Sequence, residues 1–322
     1  MPRAGFVAIV GLPNVGKSTL LNHLLGQKIA IASPRPQTTR NRILGVKNLP
    51  RTDGEKGFSQ IVLIDTPGFH RPGGKGRSEL NRYMLDEALA AISDVDVILM
   101  MVEGPTPEEA NKIGKKGYRV GAEHSPLIAA IKESKKPAVL AINKIDALRN
   151  KQTLLPILDA WEKQHEYAAL IPISAATGEG TQQLLGSMVA LLPEGEPQFP
   201  EEMLTDRAER WLAAEMVREQ VFLLTRQEIP YAVAVTIDEF DERADRPDHP
   251  ANVMIQATIH VEKDAQKRII VGQAGQMIRE IGSRARLEIS KLLDCPVHLK
   301  LFVRLDPRWT ENVAGLRKMG YE

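Results

Sequence analysis

"GLPNVGKST", residues 11–19, follows the apolar run "FVAIV" at 6–10 and opens into "KSTLLNHLLG", a segment of helical period. Strand, glycine-bounded loop and helix in that order are the setting in which Gly11, Gly16, Lys17 and Ser18 complete the pattern G-x-x-x-x-G-K-[ST]. The glycines let the backbone wrap the β- and γ-phosphates of a nucleotide with its N–H groups. Lys17 adds a point charge there, and the Ser18 hydroxyl suits a Mg²⁺ ion. Nucleotide contact is therefore expected from Gly11, Leu12, Pro13, Asn14, Val15, Gly16, Lys17, Ser18 and Thr19. The loop does not choose the base, since ATPases and kinases use it too.

Outward from the loop, "IVLID" (61–65), "VDVILMMV" (95–102), "PAVLAINK" (137–144) and "AALIPIS" (168–174) alternate with helical stretches as far as "GTQQLLGSMVALL" (180–192). Short, continuously apolar runs separated by helices predict βαβ units on a parallel sheet buried on both faces. "NKID", residues 143–146, ends one such strand, where ligands of open α/β sheets lie. The Asp146 carboxylate can accept from N1–H and the exocyclic amino group of guanine. Adenine offers neither, and a buried Asp146 would then be stranded, so the base is read as guanine. Lys144 lays its stem on the base, Asn143 borders it, and "SAAT" (Ser174, Ala175 and on) brings a backbone N–H to the guanine carbonyl.

"IDTPGF" places Asp65 beside the Mg²⁺ and the Gly68 N–H at a γ-phosphate, so that losing this phosphate would release the chain beyond it. In "SPRPQTTRNR" (33–42), Thr39, or else Thr38, completes the metal shell with Ser18 and Asp65. The residue after Gly68 is Phe69, where Ras-like enzymes carry a water-positioning glutamine. Turnover is therefore expected to be slow, assisted by Lys17, Thr39, Gly68 and by Asn14, which either helps hold a monovalent cation such as K⁺ or is a structural loop residue.

The chain has 322 residues, enough for two domains. The predicted division is residues 1–192, a proline-rich linker at 193–200, and a second domain at 201–322, whose first helical stretch is expected from about Leu204 to Thr225. With 42 Lys+Arg against 41 Asp+Glu, no global field advertises nucleic acid or membrane. A single cysteine and the lack of an apolar, signal-like start lead to the expectation of a reduced, cytoplasmic setting, and no run is long enough to span a bilayer.

These motifs, together with "VREQVFLLTRQEIPYAVAVTIDEF" (217–240) and "RIIVGQAGQMIREIGSRARLEISKLLDCPVHLKLFVRLDPRW" (268–309), resemble the Era GTPases of bacteria essentially end to end. The resemblance implies a P-loop GTPase domain with a mostly parallel sheet and helices on both faces. An α+β KH domain of the α-β-β-α-α-β type follows it. It also implies Mg²⁺ and GTP/GDP as ligands, binding to the 3′ region of small-subunit ribosomal RNA and to the small ribosomal subunit, and a monomer that in some members associates peripherally with the inner membrane. Alternatives that the motifs alone leave standing are a related GTPase with another RNA target and a P-loop ATPase whose second domain binds protein.

The residues of the second half support the RNA reading. Gly272, Gln273, Ala274 and Gly275 form a G-x-x-G loop between helices, which lets an RNA backbone approach closely. From Lys263 to Arg304 there are nine Lys/Arg and four Asp/Glu, so positive charge is concentrated around the loop. Gln273 and Ala274 stand where the family often has Lys and Gly, so Lys267, Arg268, Arg279 and Arg284 are expected to supply the attraction. The insertions at 49–60 and 103–126 suggest no function.

Overall fold

The computed structural model describes residues 1–33, 38–50, 57–68, 79–148, 150–225, 229, 232–243 and 252–321. Phe69, on which the missing glutamine turns, lies outside them. By contacts the chain divides into two compact units, one of residues 1–29, 39–75 and 83–206, the other of residues 30–38, 76–82 and 207–322.

The first unit runs β1 (Ala4–Gly11), α1 (Lys17–Leu25), β2 (Ile43–Pro50), β3 (Phe58–Asp65), α2 (Glu79–Ser93), β4 (Val97–Glu103), α3 (Pro107–Lys116), α4 (Ser125–Ser134), β5 (Ala138–Asn143), α5 (Leu154–Glu162), β6 (Ala169–Pro172) and α6 (Thr181–Leu191). Six strands form one sheet in the order β2-β3-β1-β4-β5-β6. All neighbours are parallel except β2, which runs antiparallel to β3. The apolar runs are buried as a sheet covered on both faces requires: every residue of β5 is buried, and β4 is buried up to Glu103. Pairing of Gly11 with Met101, Ile9 with Asp65 and Glu103 with Asn143 brings the phosphate loop, Asp65 and "NKID" to the same edge of the sheet. The core beneath them is built from residues such as Val10, Met100, Leu140, Ile157 and Trp161.

The boundary after Asp206 lies beyond the proline-rich stretch, and the reason is visible in the hydrogen bonds. Pro193 O accepts from Ala4 N, Gln60 Oε1 accepts from Gln198 N and Phe199 N, and Leu204 O accepts from Val46 N. The backbone of this stretch thus lies against the first unit's own strands. The 103–126 insertion supplies α3, whose start is closed by a capping box: Thr106 Oγ1 accepts from Glu109 N, and Glu109 Oε2 from Thr106 N.

The second unit follows the α-β-β-α-α-β order, with α7 (Glu209–Leu224), β7 (Val233–Arg243), β8 (Asn252–Val261), α8 (Asp264–Val271), α9 (Gln276–Leu293) and β9 (Val297–Leu305), then a short α10 (Val313–Lys318). Its sheet is β7-β8-β9, antiparallel then parallel, with a bulge between Ile237 and Glu239. Ile281, Ala285 and Ile289, four apart on α9, meet Val217 and Val221 of α7 and Ile255 and Ile259 of β8 in one core. That core covers a single face of the sheet. Along β9, burial alternates from Val297 onward, leaving His298, Lys300, Phe302 and Arg304 exposed.

Candidate nucleotide and nucleic-acid sites

The phosphate loop crosses from β1 to α1 through two left-handed residues, Asn14 (φ 64°) and Gly16 (φ 99°). A Cβ on Gly16 would collide with Asn143 Nδ2, so only glycine fits there. Asn14 is exposed at the tip. Lys17 is buried and folds back onto the loop, its ammonium donating to the carbonyls of Gly11 (3.2 Å) and Leu12 (3.1 Å). Burial lowers its pKa to about 8, with Asp65 pulling the other way.

Beside Lys17 lies a cluster of oxygens. Ser18 Oγ donates to Asp65 Oδ2 at 2.6 Å, Thr39 Oγ1 reaches the same oxygen at 3.1 Å, and the two hydroxyls are 2.8 Å apart. All three residues are buried. Of the two candidate threonines, Thr39 is the one brought here; the Thr38 carbonyl accepts from Arg218. Asp65 Oδ1 is buried with no hydrogen-bond partner among the described residues. Two hydroxyls and a carboxylate with an unspent oxygen form a hard donor set, which suits Mg²⁺. Burial raises the Asp65 pKa, while Lys17, Ser18, Thr39 and the Thr66 N–H restrain the rise. Gly68 packs against the loop, where an added Cβ would meet Pro13 at 2.7 Å, so its backbone can come close to whatever the loop holds.

At the far end of the pocket the brace is Asn143. Its Nδ2 donates to Val15 O (2.7 Å) and its Oδ1 accepts from Ala175 N (2.8 Å), tying the phosphate loop to the "SAAT" turn. Ser174 N donates to Glu179 O. The N–H groups of Ser174 and Ala175 are thus engaged internally, and the residue that follows, Ala176, is exposed. Lys144 is left-handed (φ 66°) and pairs with Glu103 at 2.9 Å, a partner the motif does not announce. Asp146 is exposed, not buried as the specificity argument takes it. The 103–126 insertion walls a cavity of about 670 Å³ against the phosphate loop, lined by Pro13, Val15, Glu103, Tyr118 and His124 among others.

In the second unit, "GQAG" forms a tight turn between α8 and α9 with Gln273 and Ala274 exposed. Ala274 is held at φ 48°, a left-handed conformation costing about 1–2 kcal/mol for a residue with a Cβ. Arg279 Nη2 donates to Ala274 O at 2.9 Å, which ties its guanidinium to the turn. Arg268 pairs with Asp264 (2.7 Å) and Arg284 with Glu280 (2.6 Å) on exposed helix faces, while Lys267 is half-buried. The cations expected to supply attraction are present, but two of them are partly neutralised by neighbours one helical turn away.

Comparison with known proteins covers both units. Residues 6–144 match the family model described as 50S ribosome-binding GTPase, and residues 228–310 match the KH domain. The chain is 46% identical to GTPase Era of Geotalea daltonii over 319 residues, 99% of this chain and 98% of that protein. It is 41% identical to GTPase Era of Lacticaseibacillus paracasei, over 99% and 96% of the two chains. Among solved structures, an Era variant of Aquifex aeolicus bound to GDP·AlF4⁻ superposes with a TM-score of 0.87 at 41% identity, covering 99% of both chains. Era in complex with MgGDPNP and nucleotides 1506–1542 of 16S ribosomal RNA gives a TM-score of 0.88 at 40% identity, covering 100% of this chain and 99% of that one.

Proposed function

The chain belongs to the Era family of GTPases and hydrolyses GTP with Mg²⁺, and on that premise we propose that it binds the 3′ region of 16S ribosomal RNA and acts as a GTP-dependent switch in small-subunit assembly. The observation that carries the proposal is the likeness along both units to an Era bound at once to MgGDPNP and to a 16S segment. The GTPase half by itself matches a family described by the large subunit, so the second unit decides the target.

In this reading Ser18 and Thr39 would hold Mg²⁺, with Asp65 beside them offering its unspent oxygen. A Mg²⁺ ion held there would supply positive charge against the negative charge that develops on the transferred phosphoryl group. Lys17 and the Gly68 N–H steady the γ-phosphate, Asp146 and the Ala176 N–H read guanine, and Asn143 holds both ends in register. Asn14, at the exposed tip, helps hold K⁺ in place of the missing glutamine; equal turnover in K⁺ and Na⁺ at matched ionic strength would reject that assignment. The RNA backbone lies along "GQAG", with Lys267, Arg268, Arg279 and Arg284 around it. The protein works as a cytoplasmic monomer with peripheral contact to the inner membrane. Among the described residues no helix is long and apolar enough to cross a membrane.

The test is fluorescence anisotropy on a labelled strand copied from the 3′ end of 16S RNA, with the GTP-analogue-loaded protein. Replacing Gln273 and Ala274 together by Asp should weaken binding by about 1–3 kcal/mol through repulsion of phosphates and poorer close approach, with RNA-free GTP hydrolysis unchanged. Undiminished binding by that variant would remove the loop from the RNA site.

A further inference from the structure

The KH unit has a second surface with the composition of a nucleic-acid site, on the side of the sheet opposite its helices. Along β9, Lys300, Phe302 and Arg304 all point to the open face, and the Phe302 ring is 49% exposed. Outward side chains recur about every 6.6 Å along a strand, so the ring stands midway between two cations about 13 Å apart. Several acids near this face have partners, although the neutral donors Thr258 and Gln256 leave the charge of theirs in place. Asp238 on β7 accepts from Thr258 (2.6 Å), Glu239 accepts from Gln256, and Asp306 is shared by His260 and Lys318, with Arg304 no nearer than 3.7 Å. Lys300 is exposed. At the start of β9 a basin of about 550 Å³, lined by Met254 and His298 of the sheet and Arg286 of α9, lies within the size range of small-ligand clefts and continues the positive strip around the sheet edge. An exposed aromatic ring flanked by cations is what a single strand needs: a π-face for a base and charges for the phosphates on either side.

We propose that this open face of β9 is a second contact for single-stranded RNA, in which one base stacks on Phe302 while Lys300 and Arg304 hold the flanking phosphates and the Arg286–His298 basin receives a neighbouring nucleotide. The inference rests on the RNA-binding reading above and extends it. "GQAG" belongs to the helical side of the sheet, so one strand bound at both places passes around the β9 edge.

Two labelled RNAs test it, one of about six nucleotides that fills the loop site alone and one of about twenty from the same 3′ region. Phe302→Ala should bind the long RNA about tenfold more weakly and the short one as wild type does. Lys300→Glu with Arg304→Glu should do the same and flatten the salt dependence for the long RNA, by about 0.7 for each phosphate no longer held. Phe302→Trp keeps a stacking ring and should show emission quenched by the long RNA only. Because the side chain is half-exposed, all variants should keep the wild-type melting temperature and RNA-free GTP hydrolysis. Wild-type affinity for the long RNA in both loss variants, with indole emission from Phe302→Trp unchanged by that RNA, would overturn the second contact and leave the loop reading intact. Failure of the wild type to bind either RNA would overturn both. Variants that keep the RNA but lose intact small subunits would assign the face to a protein and overturn the RNA claim.

Discussion

Lys17 and Asp146 sit at opposite ends of the proposed nucleotide site, and their surroundings predict different losses. Lys17 is buried, and its ammonium is held by two loop carbonyls. Lys17→Ala removes a positive charge from the place where phosphate charge develops, and should nearly abolish turnover. Exposed Asp146 should be worth less: Asp146→Asn turns one acceptor into a donor facing N1–H of guanine and should weaken GTP binding by at least tenfold, about 1.5–3 kcal/mol. Calorimetry returning equal GTP affinities for wild type and Asp146→Asn would reject the guanine assignment. The placement of both residues at one edge of the sheet was legible in the sequence, because each motif follows an apolar strand directly. The exposure of Asp146, the Glu103 partner of Lys144 and the double anchorage of Asn143 were not, since each depends on residues far apart in the chain that meet only in the folded sheet.

Among the elements, the parallel strands of the first unit could be read because a strand covered on both faces is apolar throughout. The direction of β2 could not: "ILGVKN" reads alike in either orientation, and its antiparallel pairing with β3 comes from the short connection between them. Helical period alone starts α7 near Leu204, five residues too early. Leu204 is spent on Val46 in the first unit, and the helix begins at Glu209 without a side-chain cap. α3 shows the opposite case, a helix in an insertion whose sequence carries its own start signal. Thr106→Ala should cost about 1 kcal/mol by removing the acceptor for Glu109 N. Circular dichroism melting of the full chain checks this, and an unchanged first-unit transition would mean that α3 contributes nothing to that unit's stability.

At the scale of the whole molecule, each unit carries its own acid sensitivity. In the first, burial lowers the pKa of His124, against a weaker pull from Glu123, beneath its ordinary value of about 6.5. The unfolded chain then takes up a proton that the folded one refuses, so stability falls as pH drops below about 6.5. In the second, burial alone would raise Asp306, but His260 and Lys318 hold its carboxyl below its ordinary value, and that support is lost only at more acidic pH, as the folded carboxyl protonates. Melting curves should show the first unit weakening between about pH 7 and 5, with the slope flattened in His124→Gln; an identical slope in that variant would assign the effect elsewhere. One buried carboxamide has a reach comparable to these charges. Asn143 bonds to Val15, 128 residues away, and to Ala175, 32 residues away. The amides it organises, Ala175 N and those opening α1 such as Leu20 N, should therefore exchange with deuterium through one shared opening, and Asn143→Ala should hasten both together. Separate opening energies in the wild type would show two independent latches. With one latch, a nucleotide bound as proposed should lose its base and phosphate contacts together, and GDP should depart in a single step.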